Sequence, residues 1–234
     1  MVIIFLFLDM NKKKNICLYW APGSFGDIVN YLLINSGYTS AFNNPYINDI
    51  GRVCYSFNSK FNAIFNLSHR DQDYFYLRAW TSEDLIKMSA IENYIICTHR
   101  LEQAEFIKNT LGDQIQSIGI TYTADYYEII LKNCVDKVVA NSPEAEEQVS
   151  QYDPKLIKAL KEKNLYTQYL LKIFHRYGIK EIPNQIDNQF DISLPINLLI
   201  NNELDSLINL LSLSVDKNSQ EFFNLWHQKQ NFNN

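Results

Sequence analysis

The chain has 234 residues, 47% of them hydrophobic and 14% aromatic, enough to bury a sizeable core. Only 7 glycines and 6 prolines argue against a turn-dense all-β sandwich and against long linkers. A formal net charge of −5 provides no general attraction for nucleic acid or for an anionic membrane.

Val2–Leu8 is wholly apolar but too short to span a bilayer. No basic residues precede it and no small-residue cleavage site follows, so it does not read as a signal peptide. Residues 1–9 read as an extension of the gene model ahead of Met10, with an extra edge strand and a weak membrane tether as alternatives. Residues 10–234 read as one α/β domain.

Ile16–Trp20 is a short run of strand formers, broken by Ala21-Pro22-Gly23-Ser24-Phe25-Gly26-Asp27. Ile28–Ser36 then has the apolar content of a buried helix, with Gly37 as its stop. Tyr38 to about Arg78 is rich in Asn and aromatics and reads as loops with short elements. Ser82-Glu83-Asp84 begins a short helix. Tyr94–Thr98 reads as a second buried strand, Glu102–Leu111 as a helix stopping at Gly112, and Ser117–Thr121 as a third strand. Asp125–Asn133 is helical, with Tyr126, Tyr127, Ile129, Ile130 and Leu131 mostly inward. Ser142-Pro143-Glu144 is a strong helix start, and Lys155–Tyr177 a long amphipathic helix. Phe190–Leu194 alternates like a strand. Pro195 opens a helical tail that includes Leu204–Leu213 and Glu221–Gln228. Strands alternating with helices over short connections predict a parallel sheet with helices on both faces and a helical C-terminal part.

The four cysteines, Cys17, Cys54, Cys97 and Cys134, have neither CxxC spacing nor a suitably placed His, so no metal site is expected. Cys17 and Cys97 lie inside apolar runs that read as buried strands, and reduced thiols in the core of a cytoplasmic protein are the simpler account.

The glycine turn is the most informative feature. Two glycines between a strand and a helix let successive N–H groups point into one concavity, and the helix adds its positive end. Gly23, Ser24, Phe25, Gly26 and Asp27 are therefore candidates for holding a phosphate or sulfate. The turn lacks the Lys-Ser/Thr of a Walker A loop and is not GxGxxG. The competing reading is a plain strand-to-helix turn that uses glycine for close packing. Asp27 reads as a helix cap rather than a metal ligand. His99, after a parallel strand, falls where open α/β sheets place their crevice and is a candidate general base. Arg100 beside it is a candidate anion contact. Tyr122, Tyr126 and Tyr127 read as core or rim. His69-Arg70-Asp71, Lys161-Glu162-Lys163, His175-Arg176 and Trp226-His227 carry no spacing that demands chemistry.

The order of these segments resembles that of the sulfotransferases, a phosphate-loop family without the Walker lysine-serine pair. The family's loop runs Pro-Lys-Ser-Gly-Thr-Thr or Pro-Arg-Ser-Gly-Thr, and Pro22-Gly23-Ser24-Phe25-Gly26-Asp27 followed by Tyr31-Leu32-Leu33 is a loose variant of it. The family's acceptor-side strand ends Lys-Thr/Ser-His, and Ile95-Ile96-Cys97-Thr98-His99 ends similarly. Ser117–Thr121 resembles the 3′-phosphate strand. The likeness implies 3′-phosphoadenosine 5′-phosphosulfate as cofactor, Gly23–Asp27 and Arg100 on its phosphates, and His99 as base. It implies sulfuryl transfer to a hydroxyl or amine of a small-molecule or carbohydrate acceptor. Three positions depart from the family. Gly23 stands where its loop carries Lys or Arg, Tyr122 where it carries Arg, and Ile130 where it carries Ser. A non-catalytic binding or interaction protein that keeps the fold is therefore the alternative. Gly26→Val is expected to abolish anion binding at modest cost in stability.

Overall fold

A computed structural model of the chain describes residues 13–21, 23–48, 51, 53–68, 72, 75–126, 129, 130, 133, 189–230 and 232. Its frame is a five-stranded, wholly parallel sheet. In chain order the strands are β1 (Asn15–Tyr19), β2 (Thr39–Ser40), β5 (Tyr94–Thr98), β6 (Ile115–Thr121) and β7 (Ile192–Pro195), and across the sheet they run β2-β5-β1-β6-β7. A separate antiparallel hairpin pairs β3 (Phe42–Ile47) with β4 (Val53–Phe57). Numbered within the parallel sheet alone, the order is second, third, first, fourth, fifth. That differs from the dinucleotide-binding 3-2-1 and the flavodoxin-like 2-1-3 arrangements.

Strand pleating divides the core in two. Ile16, Leu18, Ile95, Cys97, Ile118 and Ile120 face one layer, made by α1 (Gly26–Asn35), α5 (Asn197–Ile200), α6 (Leu204–Leu211) and α7 (Lys217–Gln230). Cys17, Tyr19, Tyr94, Ile96 and Ile115 face the other, made by α2 (Ser59–Phe65), α3 (Ser82–Met88) and α4 (Leu101–Leu111). Both faces of β1 and β5 are covered, which is why those strands read as continuous apolar runs. In α1, Ile28, Val29, Leu32 and Leu33 are fully buried, each contributing about 1.5–3 kcal/mol. The helix ends at Gly37 with φ 92°, as its sequence indicates. Burial pushes the Cys17 thiol up to about 12 and raises that of Cys97, so both stay protonated.

Sequence and structure part company in three places, and a fourth stretch takes a form the sequence left open. The short elements expected among loops from Tyr38 to Arg78 include β2, the β3–β4 hairpin and α2, none of which the sequence located. A register shift between Asn43 and Tyr46, Asn44 at φ 48° and Pro45 inside β3 hid the alternation that marks a strand. Pro195 closes β7 instead of opening a helix, and its edge position tolerates the missing N–H. The helix expected from Asp125 is preceded by a 3-10 turn at Ala124–Tyr126, with residues 129, 130 and 133 helical. The last helix begins at Lys217, four residues before Glu221, where Asp216 accepts from the Ser219 N–H at 2.8 Å. Val2–Leu8, Pro22, His69–Asp71, Tyr127, Leu131, Cys134, the helices expected from Ser142 and over Lys155–Tyr177, and His175-Arg176 lie outside the described residues.

Two carboxylates tie the sheet's surroundings together. Asp84 takes two hydrogen bonds from Arg78, the shorter 2.7 Å, and closes a capping box with Thr81. Asp191 takes the Ser117 N–H at 2.8 Å, the Ser117 hydroxyl at 2.9 Å and the Lys108 ammonium at 2.8 Å, fixing the entry to β7 against β6. Burial alone would raise both carboxyls, but these partners outweigh it and hold them below the ordinary range. The unfolded chain then binds more protons as pH drops. The stability they contribute is complete above the ordinary carboxylate pKa of about 4 and is lost as pH falls through the lowered folded values. Urea midpoints measured against pH should show this acid limb. Asp84→Asn should flatten it and cost about 1–3 kcal/mol at neutral pH. An unchanged limb would mean that Asp84 is not held in this way.

Candidate functional site

β1 and β5 are neighbours, yet the chain leaves them for opposite faces, to α1 from β1 and to α4 from β5. A crevice outside the carboxyl ends of such a pair is the usual ligand position of an open α/β sheet. The segments leaving β1 and β5 there are Trp20–Phe25 and His99–Arg100.

Trp20 prolongs the strand by one bond, its N–H reaching the Thr98 carbonyl at 3.2 Å. Ala21 then receives both the N–H and the hydroxyl of Ser24, at 3.0 and 2.7 Å, which closes a tight turn. Gly23 has φ 88°, and a side chain there would meet the Ile130 carbonyl, whose oxygen lies 2.2 Å from where a Cβ would stand. The Asn133 amide donates to the Gly23 carbonyl at 2.7 Å. Phe25 takes the N-cap position of α1 in the left-handed region, φ 64° and ψ 24°, an uncommon place for an aromatic residue. Gly26 opens the helix, and a Cβ on it would come within 2.1 Å of the Trp20 ring. Gly23, Ser24, Phe25 and Gly26 are all buried.

Asp27 is therefore not the helix cap its position suggested. Phe25 holds that place, and Asp27 sits in the first turn, where a negative charge suits the helix dipole. Its backbone carbonyl accepts from the Tyr55 hydroxyl.

His99 is buried and positioned from three directions. Its Nδ1 lies 2.7 Å from the Trp20 carbonyl, its backbone N–H reaches the Tyr76 carbonyl at 3.2 Å, and its ring packs edge-on between Trp20 and Tyr76, centroids 4.7 and 4.5 Å away. A carbonyl can only accept, so Nδ1 carries the proton and Nε2 is the basic nitrogen of the neutral ring. His99 and the glycine turn thus share one edge of the sheet. Arg100 bonds to Glu102 at 2.8 Å, an ion pair on its own helix. Tyr122 is buried and Tyr126 partly so.

Trp20 and Tyr76 complete the site and were not singled out in the sequence. Trp20 had a signal, being the large residue between a strand and a glycine turn. Tyr76 had none, since it lies in an irregular aromatic stretch. Beside the turn, Phe25, Asp27, Ile28, Gly51, Val53, Asn133, Trp226 and Gln230 line a cavity of about 10 Å³, room for a single water. Among the described residues no group of three or more His, Cys, Asp or Glu side chains is placed to hold a metal, and no helix is long and apolar enough to cross a membrane.

No family model, no curated protein and no solved structure matches the chain.

Proposed function

We propose that the turn and His99 form the ligand site of a sulfotransferase-like protein. The phosphosulfate end of a nucleotide would lie against the first amides of α1, and His99 would face the acceptor. The observation that supports this is the 2.7 Å contact from His99 Nδ1 to the Trp20 carbonyl, which brings the two segments together at one edge of the sheet and makes Nε2 the basic nitrogen. In the reaction Nε2 takes the proton of the acceptor hydroxyl or amine. The acceptor atom bonds to sulfur, the sulfur–oxygen bond to the phosphate breaks, and 3′-phosphoadenosine 5′-phosphate leaves with the electron pair.

A second reading is a binding protein that keeps the architecture without transfer chemistry. It is favoured by the packing at the turn, where the Trp20 ring and the Ile130 carbonyl occupy the glycine faces. The pairing of Arg100 with Glu102 favours it too. Calorimetric titration with 3′-phosphoadenosine 5′-phosphate tests the first reading. The expected dissociation constant is below about 1 mM, equivalent to about −4 kcal/mol. No heat and no rise in melting temperature at millimolar nucleotide would sink the donor site and leave the second reading.

A further inference from the structure

We propose that the C-terminal end of α7 is a strap that holds the glycine turn closed, so that an anion reaches the first amides of α1 only when the strap lifts. The strap's role in ligand entry rests on the site proposed above.

The two halves of α7 are held differently. Its first half belongs to the core: Phe223 is fully buried and Phe222 stacks on Tyr31 at 3.9 Å. Beyond Trp226 none of the described residues is buried. The contacts that hold that end reach Phe25, the β3–β4 connection beside it and Ile200. Phe25, the left-handed residue that starts α1, meets Trp226 edge-on at 5.7 Å and Phe232 at 5.2 Å. The Lys229 ammonium donates to the Asn48 carbonyl at 3.0 Å, and the Gln230 amide donates to the Gly51 carbonyl. His227 Nε2 lies 2.7 Å from the Ile200 carbonyl. Gly51, at φ 77°, makes the seat: a Cβ there would lie 2.7 Å from that of Lys229. Trp226 and Gln230 also wall the small cavity beside Asp27 and Ile28. Beyond Trp226 the residues that close over the turn are thus half-buried or exposed, fixed by ring edges and side-chain bonds to carbonyls. Such a segment opens locally before the rest of the fold does.

The test compares the full chain with Phe232→Ala and with the double variant Lys229→Ala, Gln230→Ala. Hydrogen exchange at the amides of Phe25–Ile28 is measured alongside titration with 3′-phosphoadenosine 5′-phosphate. Exchange there should accelerate about tenfold, a shift of about 1.4 kcal/mol in the opening equilibrium. The β1 amides should be unaffected, and the nucleotide should bind correspondingly more tightly. Unchanged exchange in both variants overturns the strap. Accelerated exchange with nucleotide affinity equal to that of the wild type overturns its role in ligand entry. Accelerated exchange with no nucleotide binding by any form leaves the strap standing and removes the proposed donor site instead.

Discussion

Gly26→Val is expected to cost about 3 kcal/mol or more, enough to leave a substantial unfolded fraction in a domain of ordinary stability. Even the Cβ of alanine would lie 2.1 Å from the Trp20 ring, well inside van der Waals contact. The ring has little room to retreat. It is almost wholly buried, and its other neighbour is the His99 imidazole at 4.7 Å. Relief requires either rotating Trp20 off His99 or lifting the start of α1, and both undo packing at the centre of the sheet. This corrects the sequence-based expectation of modest loss, which treated the Gly26 face as open for an anion rather than filled by an indole. Urea denaturation of Gly26→Ala and Gly26→Val measures the effect. If Gly26→Ala lies within about 0.5 kcal/mol of wild type, Trp20 is mobile and the turn is not packed as described.

His99→Ala is expected to act twice. It leaves the Trp20 carbonyl buried without its donor and removes a ring held between two aromatics. The cost should be about 2 kcal/mol or more. If the protein transfers sulfuryl groups, release of 3′-phosphoadenosine 5′-phosphate from the donor should fall by about 10²-fold or more, the scale for losing a positioned general base. Donor affinity should change little, because the imidazole serves the acceptor. His99→Gln separates the two effects. Its side-chain amide can donate to the Trp20 carbonyl but supplies no base, so it should recover much of the stability and none of the turnover. Full turnover in His99→Gln would remove His99 from the chemistry.

Where the sequence was legible, one physical rule dominated. Strands covered on both faces must be largely apolar, so β1 and β5 stood out. The helices closed by Gly37 and Gly112 stood out too, because a left-handed exit demands glycine. The two-residue β2 has no periodicity to detect, and β3 carries a proline and a left-handed Asn inside it. At the site, the meeting of the turn with His99 followed from the shared carboxyl edge of a parallel sheet. The packing did not. Nothing local in the chain records that Trp20 folds back over Gly26, that the Ile130 carbonyl presses on Gly23, or that Phe25 takes the cap instead of Asp27. Those contacts join residues brought together only by the sheet.

The central position of β1 also has a cost in time. Ile16 finds its sheet partners at Ile95 and Gln116, 79 and 100 positions later. A ribosome adding about 5–20 residues per second needs roughly 5–20 s to supply the second of them. Throughout that interval Ile16-Cys17-Leu18-Tyr19-Trp20 has neither neighbour, although it is almost wholly buried in the finished fold. The nascent chain therefore offers a sticky segment long before it can hide it, and closing loops of this length delays pairing further. Production of this protein should depend on chaperone supply and on slow, cool expression more than its folded surface would suggest.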